Sequence, residues 1–161
     1  MNIVLGKITA HCQDTRTETD FAAFIDSLLQ QNPGFKRYHL VADQLNTHKS
    51  ETLTRLVAKH CHITEDLGVK GKNGILKSME TREQFLSDKA KIMVFHYTPT
   101  HCSWMSQIEI WFAILMKKVI KRGNFTSTQA LKARLLEFIY YFNTTMAKPF
   151  KWTYQGKPLT L

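Results

Sequence analysis

Tyr38-His39-Leu40-Val41-Ala42-Asp43-Gln44-Leu45-Asn46-Thr47-His48-Lys49 is the stretch that decides the fold class of this 161-residue chain. Residues 38–42 are mostly apolar and carry the aromatic and β-branched character of a strand. The strand delivers Asp43 at its C-terminal tip, a polar turn runs from Gln44 to Lys49, and a helix follows with Leu53, Leu56 and Val57 on one face. In open α/β sheets the carboxyl ends of strands border the crevice where ligands bind, so an acid at that tip is a candidate for chemistry.

Working outward, residues 92–97 form a second strand, stopped by Thr98-Pro99 because the residue before proline avoids the helical region. Phe21, Phe24, Ile25, Leu28 and Leu29 repeat with helical period over 20–31; Thr17 and Asp20 have capping-box spacing, and Pro33-Gly34 closes the helix. Residues 2–12 read as a strand remnant, a turn and a short strand. Between 64 and 91, Gly68, Gly71 and Gly74 alternate with Lys70, Lys72 and Lys77, which reads as a flexible insertion at the periphery, followed by a short helix capped through Thr81 and Gln84. A long helix is expected from Ser103 to Arg122, with Ile108, Trp111, Phe112, Leu115 and Val119 in one stripe. Gly123 ends it, Thr126 and Gln129 restart a helix, and Leu131, Leu135, Phe138, Ile139 and Phe142 face its core. Alternation of strands and helices indicates a single α/β domain over 1–161.

Composition excludes other classes. A hydrophobic content of 43% fills a core and rules out disorder. No apolar run approaches the roughly 18 residues of a membrane span, and the N-terminus lacks signal-peptide features, so the expectation is a cytoplasmic protein without a membrane partner. Three widely spaced cysteines, Cys12, Cys61 and Cys102, fit free thiols in a reducing compartment. Residues 1–112 hold 13 basic and 12 acidic side chains, whereas the helical part 113–161 holds nine basic residues against Glu137 alone. That block reads either as a contact for a polyanion or as a solvated helix face.

Asp43 and Glu109 stand out as acids in apolar settings, Glu109 lying among Trp104, Met105, Ile108, Ile110, Trp111 and Phe112. Two carboxylates held together repel unless a divalent cation lies between them, and their hard oxygens suit Mg²⁺ or Mn²⁺. Spacing alone favours Asp43 as a cap for the next helix and Glu109 as the partner of a nearby Lys or Arg. His48 has two open roles as well, at phosphate or at the loop's own backbone. Trp104 and Trp111 read as core anchors. His60-Cys61-His62 with His96, His101 and Cys102 completes no zinc-site spacing, and the glycines lack the Gly-Lys-Ser/Thr ending of a phosphate loop.

The string 38–49 resembles the second catalytic block of DDE-type transposases of the mariner-like bacterial insertion sequences. His96-Tyr97-Thr98-Pro99-Thr100-His101-Cys102-Ser103-Trp104-Met105-Ser106-Gln107-Ile108-Glu109-Ile110-Trp111-Phe112 resembles the third. Lys121-Arg122-Gly123-Asn124-Phe125-Thr126-Ser127, residues 141–152 and Gly74-Ile75-Leu76-Lys77-Ser78-Met79 extend the likeness along essentially the whole chain. The resemblance implies an RNase H-like mixed sheet flanked by helices, here missing the first strand and most of the second. It implies Asp43 and Glu109 as the second and third catalytic, metal-binding acids, Mg²⁺ or Mn²⁺ as cofactor, and DNA as partner. His48, Lys49, Lys117, Lys118, Lys121, Arg122, Lys148 and Lys151 are the expected DNA contacts. The first acid and the helix-turn-helix part are expected upstream of Met1, and Gln44 and Ser106 stand where the family usually has Asn. Two functions follow as expectations: a transposase catalytic-domain piece that cuts and joins DNA in the bacterial nucleoid, or a catalytically inactive DNA-binding or oligomerisation remnant. A sheet without its first strand leads us to expect a homo-oligomer.

Overall fold

Four α-helices begin where a short polar side chain, Thr17, Ser50, Ser78 or Ser127, satisfies an amide that the helix leaves unpaired. The computed structural model describes residues 1–100, 102 and 106–149, which divide into two compact units: residues 13–109, and Met1–Cys12 with the described residues from Ile110 onward. In the first unit Thr17 opens α1 (Glu18–Gln31) with a complete capping box, its hydroxyl accepting from the Asp20 amide while the Asp20 carboxylate accepts from the Thr17 amide at 2.7 Å. That amide bond, joined by the Thr15 and Thr17 hydroxyls, holds the Asp20 carboxyl below its ordinary pKa. The cap therefore contributes in full above the unfolded carboxylate pKa and is lost as pH falls through the lower folded value.

β1 (Tyr38–Ala42) leads through a 3-10 turn (Asn46–Lys49) into α2 (Glu51–His60), capped by Ser50. α3 (Met79–Leu86) and β2 (Met93–Tyr97) follow. The strands pair in parallel, Tyr38 opposite Met93 and Ala42 opposite Tyr97, making a two-stranded sheet among the described residues. A parallel pair needs a crossover, and α2 with α3 supplies it. The core joins Ile25 and Leu29 of α1, Leu53, Val57 and Ala58 of α2, Phe85 and Leu86 of α3, and Met93 and Phe95 of β2. The His60 ring meets Asp26 at 2.7 Å, fixing α2 to α1.

In the second unit, α4 (Ile108–Leu115), whose first two residues belong to the first unit, passes into a π-helical turn (Met116–Ile120). α5 (Thr128–Tyr141) starts at a Ser127 cap and ends in a second π-helical turn (Phe142–Met146). Trp111, Val119, Phe138 and Phe142 are buried here, the Trp111 and Phe142 rings meeting edge to face at 6.2 Å. The N-terminal segment docks through Asn143, whose amide both donates to and accepts from the Ile8 backbone at 2.8 Å. Gly6, at a φ of 67°, lets the segment approach so closely that a methyl group there would collide with the Lys148 carbonyl.

Four sequence-based expectations change, one of them the cap of α5, which is Ser127 and not Thr126. Residues 2–12 make one antiparallel bridge, Asn2 to Lys7, not two strands; a side-chain amide takes the place of a ladder. The short helix is capped by Ser78 and Thr81, three residues earlier than expected. The glycine-rich stretch is a closed turn, with the Leu76 amide bonded to the Leu67 carbonyl at 3.0 Å, and Leu67 and Leu76 lie inside the core. Gly68, at a φ of 82°, permits that closure because a side chain would strike the Asn73 backbone. The start of the long helix at Ser103 lies outside the described residues.

Leu76 has no exposed surface whereas Val69, in the same segment, is 52% exposed. Leu76→Ala is expected to cost about 2–5 kcal/mol and Val69→Ala within about 0.5 kcal/mol, read as urea midpoints. Equal, small losses would mean that 64–91 is peripheral after all.

Candidate active site

Asp43 leaves the sheet at the end of β1 and turns at once: its Oδ1 accepts the Leu45 amide at 3.1 Å. His48, one 3-10 turn later, places Nδ1 2.6 Å from the same oxygen and lies tilted against the Phe21 ring, ring centres 4.2 Å apart. The His48 backbone is held in turn by the Tyr97 hydroxyl, which donates to its carbonyl at 2.7 Å. A strand tip, a helical turn, α1 and the neighbouring strand thus fix one half-buried carboxylate.

Lys49 lies beneath this turn and is 7% exposed. Its ammonium donates to Glu83 Oε2 at 2.5 Å and to Gln44 Oε1, and sits 4.9 Å from the centre of the Tyr97 ring. Gln44 also donates through Nε2 to the Thr98 carbonyl at 2.7 Å. Arg82, buried on α3, donates to the Lys49 carbonyl at 2.6 Å and to the Leu76 carbonyl at 2.9 Å. Burial raises the Tyr97 hydroxyl's pKa, and the Glu83 charge raises it further, so Tyr97 stays a proton donor across the physiological range.

Asp43 and His48 are therefore brought together, while Lys49 points its charge into the fold. Glu109 occupies the first turn of α4, exposed, its amide bonded to the Ser106 carbonyl at 3.0 Å. Among the described residues no group of three or more His, Cys, Asp and Glu comes together to hold a metal. Lys117, Lys118, Lys121, Arg122 and Lys148 are exposed in the other unit, and none pairs with a described carboxylate; Lys151 lies outside the described residues. Sequence reasoning missed Phe21, Tyr97, Arg82 and Glu83 as supports of the Asp43 loop. Only the placement of Tyr97 at a strand end, opposite Ala42, had a signal in the strand pattern.

A family model described as DDE superfamily endonuclease matches residues 4–132. No curated protein and no solved structure matches the chain.

The Lys49 network gives an asymmetric expectation. Glu83 keeps a little over a third of its side chain exposed, so Glu83→Ala should cost about 2–3 kcal/mol, somewhat less than stranding a fully buried charge. Lys49→Met removes the buried charge itself and should cost about 1 kcal/mol or less. Equilibrium unfolding of both variants checks the order, and a larger loss for Lys49→Met would contradict it.

Proposed function

The chain belongs to the DDE superfamily of endonucleases, and on that footing we propose that it is the catalytic domain of a DNA transposase of the mariner-like insertion-sequence group, built on an RNase H-like sheet. The observation that carries this reading is the fixed carboxylate of Asp43 at the C-terminal tip of β1. Asp43 and Glu109 are its metal-binding acids. The donor chemistry of Asp43 suits the role: no described donor reaches its second oxygen, and a free carboxylate oxygen is what Mg²⁺ or Mn²⁺ takes. When bound, the metal would polarise the phosphodiester and activate the attacking oxygen. The chain's own part is to hold Asp43 through His48 and the Leu45 amide, and to back that loop with Lys49 and Tyr97. DNA is the substrate, and the cations Lys117, Lys118, Lys121, Arg122 and Lys148 neutralise its phosphates.

A second reading, a DNA-binding module without catalysis, is favoured by the lack of a three-ligand group among the described residues. Mn²⁺ titration followed by plasmid nicking separates the two. Catalysis requires Mn²⁺ binding that weakens in Asp43→Asn and Glu109→Gln, with nicking that both variants lose. Mn²⁺ binding unchanged by either variant sinks the metal assignment, and DNA binding without nicking leaves the module reading.

DNA affinity should fall steeply with salt, each neutralised phosphate adding about −0.9 to the slope of log K against log salt concentration. Lys117→Gln or Lys121→Gln should each flatten that slope by about one unit; no change in slope would place the DNA elsewhere.

Self-association is a further part of the proposal. Tyr38 and Ala42 turn their backbone toward β2, so in a parallel ladder His39 and Val41 present theirs at the opposite edge, where no described residue pairs with them. A second copy adding along that edge would satisfy these groups. Sedimentation over a dilution series should show a monomer–dimer equilibrium; a monomer at every concentration removes this partner.

A further inference from the structure

We propose that the cleft between α4 with its π-helical turn and α5 is a binding site for single-stranded DNA, in which one unpaired base stacks on Tyr141 and its phosphates lie on Lys118, Arg122 and Arg134. This rests on DNA as the partner and goes beyond it by naming the form of the DNA and two residues, Arg134 and Tyr141, outside the DNA contacts named above.

The cleft has a volume of about 360 Å³ and is lined by Lys118, Arg122, Arg134, Glu137, Phe138 and Tyr141. A second hollow of about 290 Å³, lined by Ile114, Lys117, Lys118 and Arg122, shares its cations. Lys118 and Arg122 thus line both hollows, which suits successive phosphates held by the same two cations. These volumes match a small ligand or one nucleotide, not the groove of a duplex.

Charge supplies the second argument. Lys117 and Lys121, and Lys118 and Arg122, are spaced four apart with no described carboxylate beside them. Like charges gathered there repel one another, and an anion bound beside them relieves the repulsion. Glu137 is the one described acid after residue 112, and it is occupied by Arg134 at 2.7 Å. A phosphate entering beside Arg134 would compete with that exposed pair, which holds only weakly in water.

The aromatic floor points to unpaired bases. Phe138 is buried as part of the core, while Tyr141, 51% exposed, is tilted beside it with ring centres 6.4 Å apart. One ring is therefore anchored and the other offers a face beside three cations. Base stacking on such a face requires a base outside a duplex, and combined with backbone cations it is the recognition mode of single-strand binders. Duplex DNA would meet the cations and leave Tyr141 without a role.

The test uses the full chain in EDTA, so that it is independent of the metal chemistry at Asp43, with fluorescence anisotropy on a ten-nucleotide oligo-dT and on a duplex of the same length. The wild-type chain should prefer the single strand. Tyr141→Leu should weaken single-strand binding about tenfold and duplex binding less than twofold, while Tyr141→Phe and Tyr140→Leu bind as wild type. Arg122→Gln should weaken both. Equal losses on both DNAs in Tyr141→Leu, or a Tyr141→Phe variant as weak as the leucine one, would overturn the proposal. Should Tyr141→Leu fail to fold by circular dichroism, photocrosslinking of bromodeoxyuridine oligonucleotide to the wild-type chain decides. Adducts on α5 at Tyr141 support the site, and adducts confined elsewhere refute it. Because binding is read in EDTA, failure of Asp43-dependent nicking would leave the Tyr141 effect untouched, and loss of the Tyr141 effect would leave the Mn²⁺ titration at Asp43 to be judged by itself.

Discussion

A buried ammonium group organises the first unit. Lys49 is almost without solvent contact, and a charge so placed is tolerable only when partners replace its water. The partners come from three directions: Glu83 from α3, Gln44 from the loop after β1, and the Tyr97 ring from β2. One cation therefore gathers a helix, a loop and a strand. The backbone on both sides of it is held too, by Tyr97 at the His48 carbonyl and by Arg82 at the Lys49 carbonyl. Replacing such a network by apolar side chains can cost little, but stranding one member costs several kcal/mol. The arrangement thus fixes geometry more than it adds net stability, and the geometry it fixes is that of the loop bearing Asp43.

Much of the fold was legible because its signals are local. The helical period of Phe21, Phe24, Ile25, Leu28 and Leu29, the Thr17–Asp20 box and the two apolar strands all appear where the sequence places them. Caps were harder where two hydroxyls compete: Thr81 resembles a cap, yet its hydroxyl serves Ser78's amide at 3.0 Å from inside the first turn. The glycine-rich stretch misled because positive φ angles serve tight closure as readily as flexibility, and what decided between them was the burial of Leu67 and Leu76. Of the site, Asp43 was legible from its place at a strand tip. Lys49 was not: next to a histidine in a polar turn it reads as a phosphate contact, and its partner Glu83 lies 34 residues away with no periodicity to connect them.

The length of one side chain ties the exits of the two strands together. Gln44 follows Asp43 directly. Its amide reaches in two directions, accepting from Lys49 through Oε1 and donating to the Thr98 carbonyl through Nε2 at 2.7 Å. Thr98 begins the segment that runs on to Glu109, so the Gln44 amide clamps the exit of β1 to the exit of β2. Asparagine is shorter by one carbon–carbon bond, about 1.5 Å, enough to open one of these contacts beyond hydrogen-bonding distance unless the backbone moved. The extra methylene is thus matched to the buried lysine: with Lys49 drawn inward to Glu83, a glutamine spans what an asparagine cannot. The glutamine after the acid and the buried cation five residues on from it thus act together on the loop that bears Asp43.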